Sequence, residues 1–200
     1  MFDLTTQRQT IDKLEISMIG QHQTENAALA VLAAQYLDQK GSFIITEQAI
    51  RTGLRNAYWP GRFEILSDNP LVIIDGAHNE EGITALTNEL TTRYQNRDIQ
   101  IVFAALSDKK LDEMIAKLDK AANQIAFVSF DFPRAAKAED LLQISHSPNK
   151  LAVDDWGSFL LEEIQHLENN SMLVITGSLY FISEVKPFLS KYLKNKTTSL

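Results

Sequence analysis

The apolar positions of this chain change period several times. "DKLEISMIG" reads as a strand. The next stretch, "QTENAALAVLAAQYLDQ", is an Ala-rich helix pattern in which Ala28, Leu29, Leu32 and Tyr36 fall on one side. In "TEQAIRTGLRNAY", Thr46 is placed to cap a second helix whose buried stripe carries Ile50, Leu54 and Ala57. "WPGR" interrupts that pattern, because Pro60 disfavours helix at Trp59 and Gly61 loosens the backbone. Trp59 to Arg62 is therefore the expected linker between two units.

From Phe63 the alternation becomes regular: "RFEIL", "LVIID", "IQIVFAAL", "QIAFVSF", "KLAVD" and "SMLVITG" are short apolar runs, and all but the first lead toward amphipathic segments. "LVIID" is apolar at every position up to Asp75, as in a strand covered on both faces. The helical stripes are Ile83, Leu86 and Leu90, then Leu111, Met114, Ile115 and Leu118. Phe159, Leu160, Ile164 and Leu167 form the next, and Phe181, Ile182, Val185 and Leu189 the last. Strands alternating with helices in this way predict a layered α/β sheet of six strands. Pro187 predicts a kink in the closing helix, and the tail "KNKTTSL" is expected to fray.

Composition narrows the function classes. The chain has 200 residues, a net charge of −7 and 44% hydrophobic content, enough for one ordinary domain or a domain with an appendage. It has no cysteine, which excludes disulfides and thiolate chemistry. The start "MFDLTTQRQT" lacks the basic and apolar regions of a signal peptide, and no segment approaches the roughly 20 apolar residues of a membrane span. These features predict a cytoplasmic protein. Scattered basic residues on an acidic chain argue against nucleic acid as a partner.

In an open α/β sheet ligands bind beyond the carboxyl ends of the strands, so the residues there are candidates for chemistry. After "LVIID", the Asp75 carboxylate is suited to accept from a sugar diol, Gly76 permits close approach, Asn79 caps the next helix and His78 faces the ligand side. The same residue types also make an ordinary turn with a solvated histidine. At "VITGSLY", Ser178 and the free amides of a helix N-terminus suit a carboxylate or phosphate, or simply form a serine cap. Arg62 offers a planar cation for a phosphate or a solvated surface charge. Asn26 suits an adenine edge or a turn, and His22 is equally open.

Taken together, "GQHQTENAALA", "WPGRFEIL", "LVIIDGAHN" and "VITGSLY" resemble, in this order, the C-terminal portion of the folylpolyglutamate synthase/dihydrofolate synthase family of the Mur ligase superfamily. The resemblance implies a ligase that activates a folate carboxylate with ATP as an acyl phosphate and couples it to L-glutamate, with magnesium as cofactor. It implies a Rossmann-like, mostly parallel six-stranded sheet with helices on both faces over residues 63–200. Residues 1–58 would be a remnant of the central ATPase domain, a strand plus two helices, and 59–62 the hinge. Asn26 matches the adenine contact, Arg62 the arginine reaching the ATP phosphates, Asp75 and His78 the pair on the ribose side, and Ser178 the serine near the incoming glutamate. The C-terminal domain would then close over ATP held mainly by the other domain, keeping water from the acyl phosphate. Lys109 in "SDKK" and Arg134 in "FPRA" resemble family loop residues but receive no role. Glu80 stands where many members have proline, a difference expected to affect helix geometry more than binding.

No stretch fits G-x-x-x-x-G-K-[ST], the loop that cradles ATP phosphates. The family's magnesium ligands and modified lysine match no position here, so no catalytic or metal-binding residue is expected in this chain. The expectation is a C-terminal portion, inactive alone, that partners with a missing N-terminal ATPase portion. A peptidoglycan Mur ligase domain and a non-catalytic binding module are the alternatives.

Overall fold

A computed structural model describes residues 1–6, 9–41 and 43–197. The chain forms two compact units, Met1–Pro60 and Gly61–Leu200, divided within the Trp59–Arg62 stretch.

The first unit begins with an antiparallel hairpin, β1 (Phe2–Thr5) and β2 (Thr10–Leu14), followed by helices α1 (Gln21–Gln39) and α2 (Glu47–Arg55). Ile11, Leu14, Ala27, Val31, Ile50 and Leu54 make its core. The Thr46 hydroxyl accepts from the Ala49 amide at 3.2 Å and so caps α2 as expected. Arg51 ties α2 to the hairpin by donating to the carbonyls of Asp12 and Lys13, at 2.9 and 3.3 Å.

Two sequence expectations change here. The "DKLEISMIG" strand contributes only its first three residues to β2, and the four-residue β1 is too short for its alternation to stand out. The expected stripe of α1 faces outward: Leu29, Leu32 and Tyr36 are 66%, 45% and 56% exposed, whereas Gln23, Ala27, Val31 and Gln35 are buried. Apolar residues surround this helix, so its period alone does not select the packed face.

The second unit contains β3 (Glu64–Asp68), β4 (Leu71–Asp75), α3 (Glu80–Arg93), β5 (Asp98–Ala104), α4 (Leu111–Ala121) and β6 (Gln124–Val128). It continues with α5 (Ala138–Ile144), β7 (Lys150–Val153), α6 (Trp156–His166), β8 (Ser171–Gly177) and α7 (Leu179–Thr197). The helix α7 continues through Pro187 and enters the tail as far as Thr197; residues 198–200 lie outside the described residues. The six strands are ordered β3-β4-β8-β5-β6-β7, with β3 antiparallel and the rest parallel. This is the mostly parallel six-stranded sheet that the family resemblance implies.

Every residue of β4 and β8 is buried because helices cover both faces. On one face Val72, Ile74, Val102, Leu173 and Ile175 pack with Leu160 and Ile164 of α6 and Phe181, Val185 and Leu189 of α7. Trp156 meets Phe181 and Phe188 edge-on there, at 5.5 and 5.3 Å between ring centroids. The alternate positions Ile73, Ile101, Phe103, Ile125, Phe127 and Val174 face the other way, with α3, α4 and α5 supplying buried Ile83, Leu86, Leu90, Met114, Ile115, Leu118 and Leu141.

The chain path aligns the strand ends that matter. From β4 it passes over the place of β8 to β5, steps outward to β6 and β7, and returns through α6 to lay β8 between β4 and β5. The carboxyl ends of β4, β8, β5 and β6 therefore stand side by side. At the last step Gly177 has a φ of 116°, and a Cβ there would overlap the Ala104 carbonyl oxygen. The Ser178 amide donates to that same oxygen at 2.7 Å.

Gly177→Ala is expected to destabilise the fold by more than about 1 kcal/mol, since a side chain adds strain at positive φ and a clash with fixed backbone. In a thermal melt, a midpoint within a degree of wild type would contradict this close packing.

Glu80 gives a pH prediction. Its carboxylate accepts from Lys117 Nζ at 2.8 Å, and Lys117 also donates to Thr84 Oγ1 at 2.7 Å, linking α3 to α4. This hydrogen bond, with the ammonium charge, holds the Glu80 carboxyl below its ordinary range. A depressed carboxylate contributes stability that is present above the unfolded value of about 4.3 and lost as pH falls through the folded value. The stability gap between wild type and Glu80→Gln should therefore be constant near neutrality and close under acid. A gap that widens on acidification would overturn the assignment.

Candidate functional site

The turn that follows β4 is built around a buried carboxylate. Asp75 is 9% exposed; its Oδ2 accepts from the Phe63 amide at 2.7 Å and its Oδ1 from the Ala77 amide at 2.8 Å. The Gly76 amide donates to the Gly61 carbonyl at 2.7 Å, and the Gly61 amide donates to Glu64 Oε2 at 2.7 Å. Glu64 in turn pairs with Lys186 of α7 at 2.8 Å. A Cβ on Gly76 would meet the end of the Leu179 side chain, which would have to move aside. Phe63 holds a left-handed φ of 43° while its buried ring stacks on Tyr94 at 6.1 Å. Arg62 sits between these fastened residues, half-buried, with no hydrogen bond or ion pair among the described residues.

A cleft of about 520 Å³ opens at the aligned strand ends. His78 comes from the loop after β4, Lys109 from the loop after β5, Arg134 from the loop after β6, and Ser178, Tyr180 and Ser183 from the junction of β8 with α7. Ala105, Leu106, Gly177 and Leu179 complete the lining, and among the described residues no acidic side chain contributes to it. His78 Nδ1 lies 2.8 Å from the Gly76 carbonyl and donates to it. That bond orients the ring and leaves Nε2 as its other polar atom. Ser178 is 3% exposed and its hydroxyl accepts from the Tyr180 amide at 3.2 Å, in the manner of a helix cap.

Two loops form the far wall as one piece. The Ser107 amide donates to the Arg134 carbonyl and the Ala136 amide to the Ala105 carbonyl, both at 2.9 Å. Arg134 pairs with Asp108 at 2.9 Å and lies over the Phe132 ring at 5.9 Å. Phe132 stacks on Tyr180 with centroids 4.1 Å apart. The cleft thus presents an ammonium, a guanidinium, an imidazole and hydroxyls, a donor set suited to carboxylate or phosphate oxygens.

Of the predicted site residues, His78 and Ser178 meet in this cleft, whereas Arg62 and Asp75 share the turn beside it. Asn26 is exposed on α1 of the first unit, where its amide donates to Gln23 Oε1 at 3.2 Å. Sequence reasoning gave Lys109 and Arg134 no role and passed over Tyr180 and Ser183. Each lies just past the end of a parallel strand, and that position was the available signal. Among the described residues no group of three or more His, Asp or Glu side chains is placed to hold a metal ion. None of their helices is long and apolar enough to cross a membrane.

Comparison with known proteins gives consistent relatives. Residues 61–179 match the family described as Mur ligase, glutamate ligase domain. The chain is 41% identical over 189 residues to the dihydrofolate synthase/folylpolyglutamate synthase of Bacillus subtilis, covering 92% of this chain and 43% of that protein. It is 32% identical over 179 residues to the folylpolyglutamate synthase of Lacticaseibacillus casei, covering 90% and 41%. The structure of E. coli FolC in complex with DHPP and ADP superposes with a TM-score of 0.82 at 26% identity, covering 94% of this chain and 43% of that one. The chain therefore spans less than half the length of these relatives.

Asp75 does the turn-forming work that its residue type also allows, since each carboxylate oxygen holds a backbone amide. Asp75→Ala would leave two buried amides without acceptors, at about 1–3 kcal/mol each. A lowered melting temperature is the expected result, and an unchanged one would contradict the clamp.

Proposed function

Since this chain belongs to the Mur ligase family through its glutamate ligase domain, we propose that it is the C-terminal portion of a folylpolyglutamate synthase, an ATP-dependent ligase that joins a folate carboxylate to L-glutamate. The cleft carries this reading. L-Glutamate brings two carboxylates and the amine that attacks the activated acid. Lys109, Arg134, His78 and Ser178 offer donors for those carboxylates within one concave site, with Asp108 paired to Arg134 at its edge. Charge-assisted contacts of this kind fix orientation as well as affinity, and orientation is what brings the amine to the acyl carbon.

ATP belongs to the proposal on different grounds. Arg62 is without a partner among the described residues and is set in a fastened turn, as suits a guanidinium reserved for phosphate oxygens. His78 and Asp75 stand near in sequence on the ribose side of the resemblance, and Asn26 is the adenine contact. The residues of this chain would thus bind and orient the nucleotide. The phosphate cradle and the magnesium ligands would come from the ATPase portion, for which this sequence has no G-x-x-x-x-G-K-[ST] loop. When bound, magnesium neutralises charge on the transferred phosphoryl group. The compartment proposed is the cytoplasm, and the partners are folate, L-glutamate and that ATPase portion.

Alone, the chain is expected to show neither ATPase nor folate-dependent glutamate incorporation. Turnover above background that disappears with Arg62→Ala would defeat this expectation. In the complete ligase, Arg134→Ala should raise the Michaelis constant for L-glutamate roughly ten- to a hundredfold, the loss of one charge-assisted contact of about 1.5–3 kcal/mol, while the constant for ATP stays near wild type. An effect on ATP alone would move the cleft from the amino acid to the nucleotide.

A further inference from the structure

Phe132 is not among the residues that line the cleft, yet it touches two that are. Its ring stacks on Tyr180 of α7, with centroids 4.1 Å apart and 22° between the planes. The Arg134 guanidinium lies over the same ring, 5.9 Å from its centroid. The ring also stacks at 6.0 Å on buried Phe130, which packs in turn against Phe181 at 5.7 Å. A run of stiff aromatic contacts thus leads from the core of the sheet to a cation at the cleft. The backbone of Arg134 is fixed as well. "FPRA" is a β-turn in which the Ala135 amide donates to the Phe132 carbonyl at 2.9 Å, and Pro133 stands where its locked φ suits such a turn. The Ser107 amide holds the Arg134 carbonyl, also at 2.9 Å.

With that backbone set, the long Arg134 side chain keeps its own torsions, and the contacts that restrain them are the Phe132 ring and Asp108, which accepts from Nη1 at 2.9 Å. A guanidinium that lies on a ring and gives one N–H to a carboxylate retains further in-plane N–H groups for a second carboxylate. L-Glutamate and L-aspartate carry the same two carboxylates and one amine, and they differ by one methylene. Donors held at a fixed spacing separate such a pair by roughly ten- to two-hundredfold, whereas a donor on a swinging side chain follows either ligand. We propose that Phe132 is a positioning residue that sets this selectivity: by backing Arg134 and Tyr180 at once, it holds both at the spacing that suits the longer dicarboxylate. This rests on the proposed reading of the cleft as the L-glutamate site, and it adds the residue that gives the site its measure. Phe132 acts through its two neighbours and makes no contact with the amino acid.

The probes are L-glutamate and L-aspartate, each titrated into the chain by amide NMR while the resonances of the loops after β5 and β6 are followed. The wild-type chain is expected to favour L-glutamate. Phe132→Leu, which removes the flat ring, should weaken L-glutamate about tenfold and bring the ratio of the two affinities toward one. Phe132→Tyr keeps the ring and should keep both the affinity and the ratio. A role confined to folding would instead weaken both amino acids alike, so a Phe132→Leu chain that is folded by its spectrum and retains the wild-type ratio overturns the inference. Arg134→Lys, at an exposed position, serves should Phe132→Leu not fold. It keeps the charge and loses the planar group that lies on the ring, and the inference fails if this variant preserves the wild-type ratio. A wild-type chain that binds the two amino acids equally overturns it too. Loop resonances that ignore both probes would overturn the reading of the cleft itself, and this inference with it.

Discussion

Between Gly177 and Ala104 the two central strands come closer than any side chain would permit. That contact lets β8 end against β5 with its last residue in a left-handed conformation, so the chain turns at once into α7. The Ser178 amide is captured by the Ala104 carbonyl, which places the first turn of α7 directly above the sheet. From that point Ser178, Tyr180 and Ser183 project into the cleft, and Phe181, Val185 and Leu189 descend into the core. A wider junction would separate the helix from the strand ends and leave the cleft without one wall.

The polar chemistry is divided between two neighbouring devices. One is the cleft, where cationic and hydroxyl donors converge from four strand ends and Asp108 pairs with one of them, Arg134. The other is the turn, where two acids are used up on backbone amides and a lysine so that a single arginine stays available. In the turn the carboxylates work on the frame, whereas in the cleft Asp108 pairs with Arg134 and Lys109 stands beside them. Tyr180 lines one side of the cleft and is backed by the Phe132 ring stacked on it.

Most of this architecture was legible in the chain. Largely apolar runs such as "LVIID" and "SMLVITG" mark strands covered on both faces, and β4 and β8 begin and end where those runs do. The strand-end rule then singles out His78 and Ser178. Asp75 was harder: sequence shows a carboxylate after a strand but not the Phe63 amide, 12 positions earlier, that the fold returns to it. Arg134 and Lys109 lie in loops with no period of their own, and only the pairing of those loops shows that they face one cleft. For α1, apolar residues all round the helix hid which face packs, and the core chose the slender Ala27 and Val31 over Leu29 and Leu32.

The pairing of the β5 and β6 loops has a consequence for how such a domain diverges. The Ser107 to Arg134 and Ala136 to Ala105 links are main-chain bonds, so they specify the wall of the cleft without specifying side chains. Substitutions accumulating at positions 107–110 and 131–137 would alter what the wall offers while leaving where it stands. A lineage is then free to change what the cleft accepts through a few replacements at these loop tips, with the scaffold passed on intact.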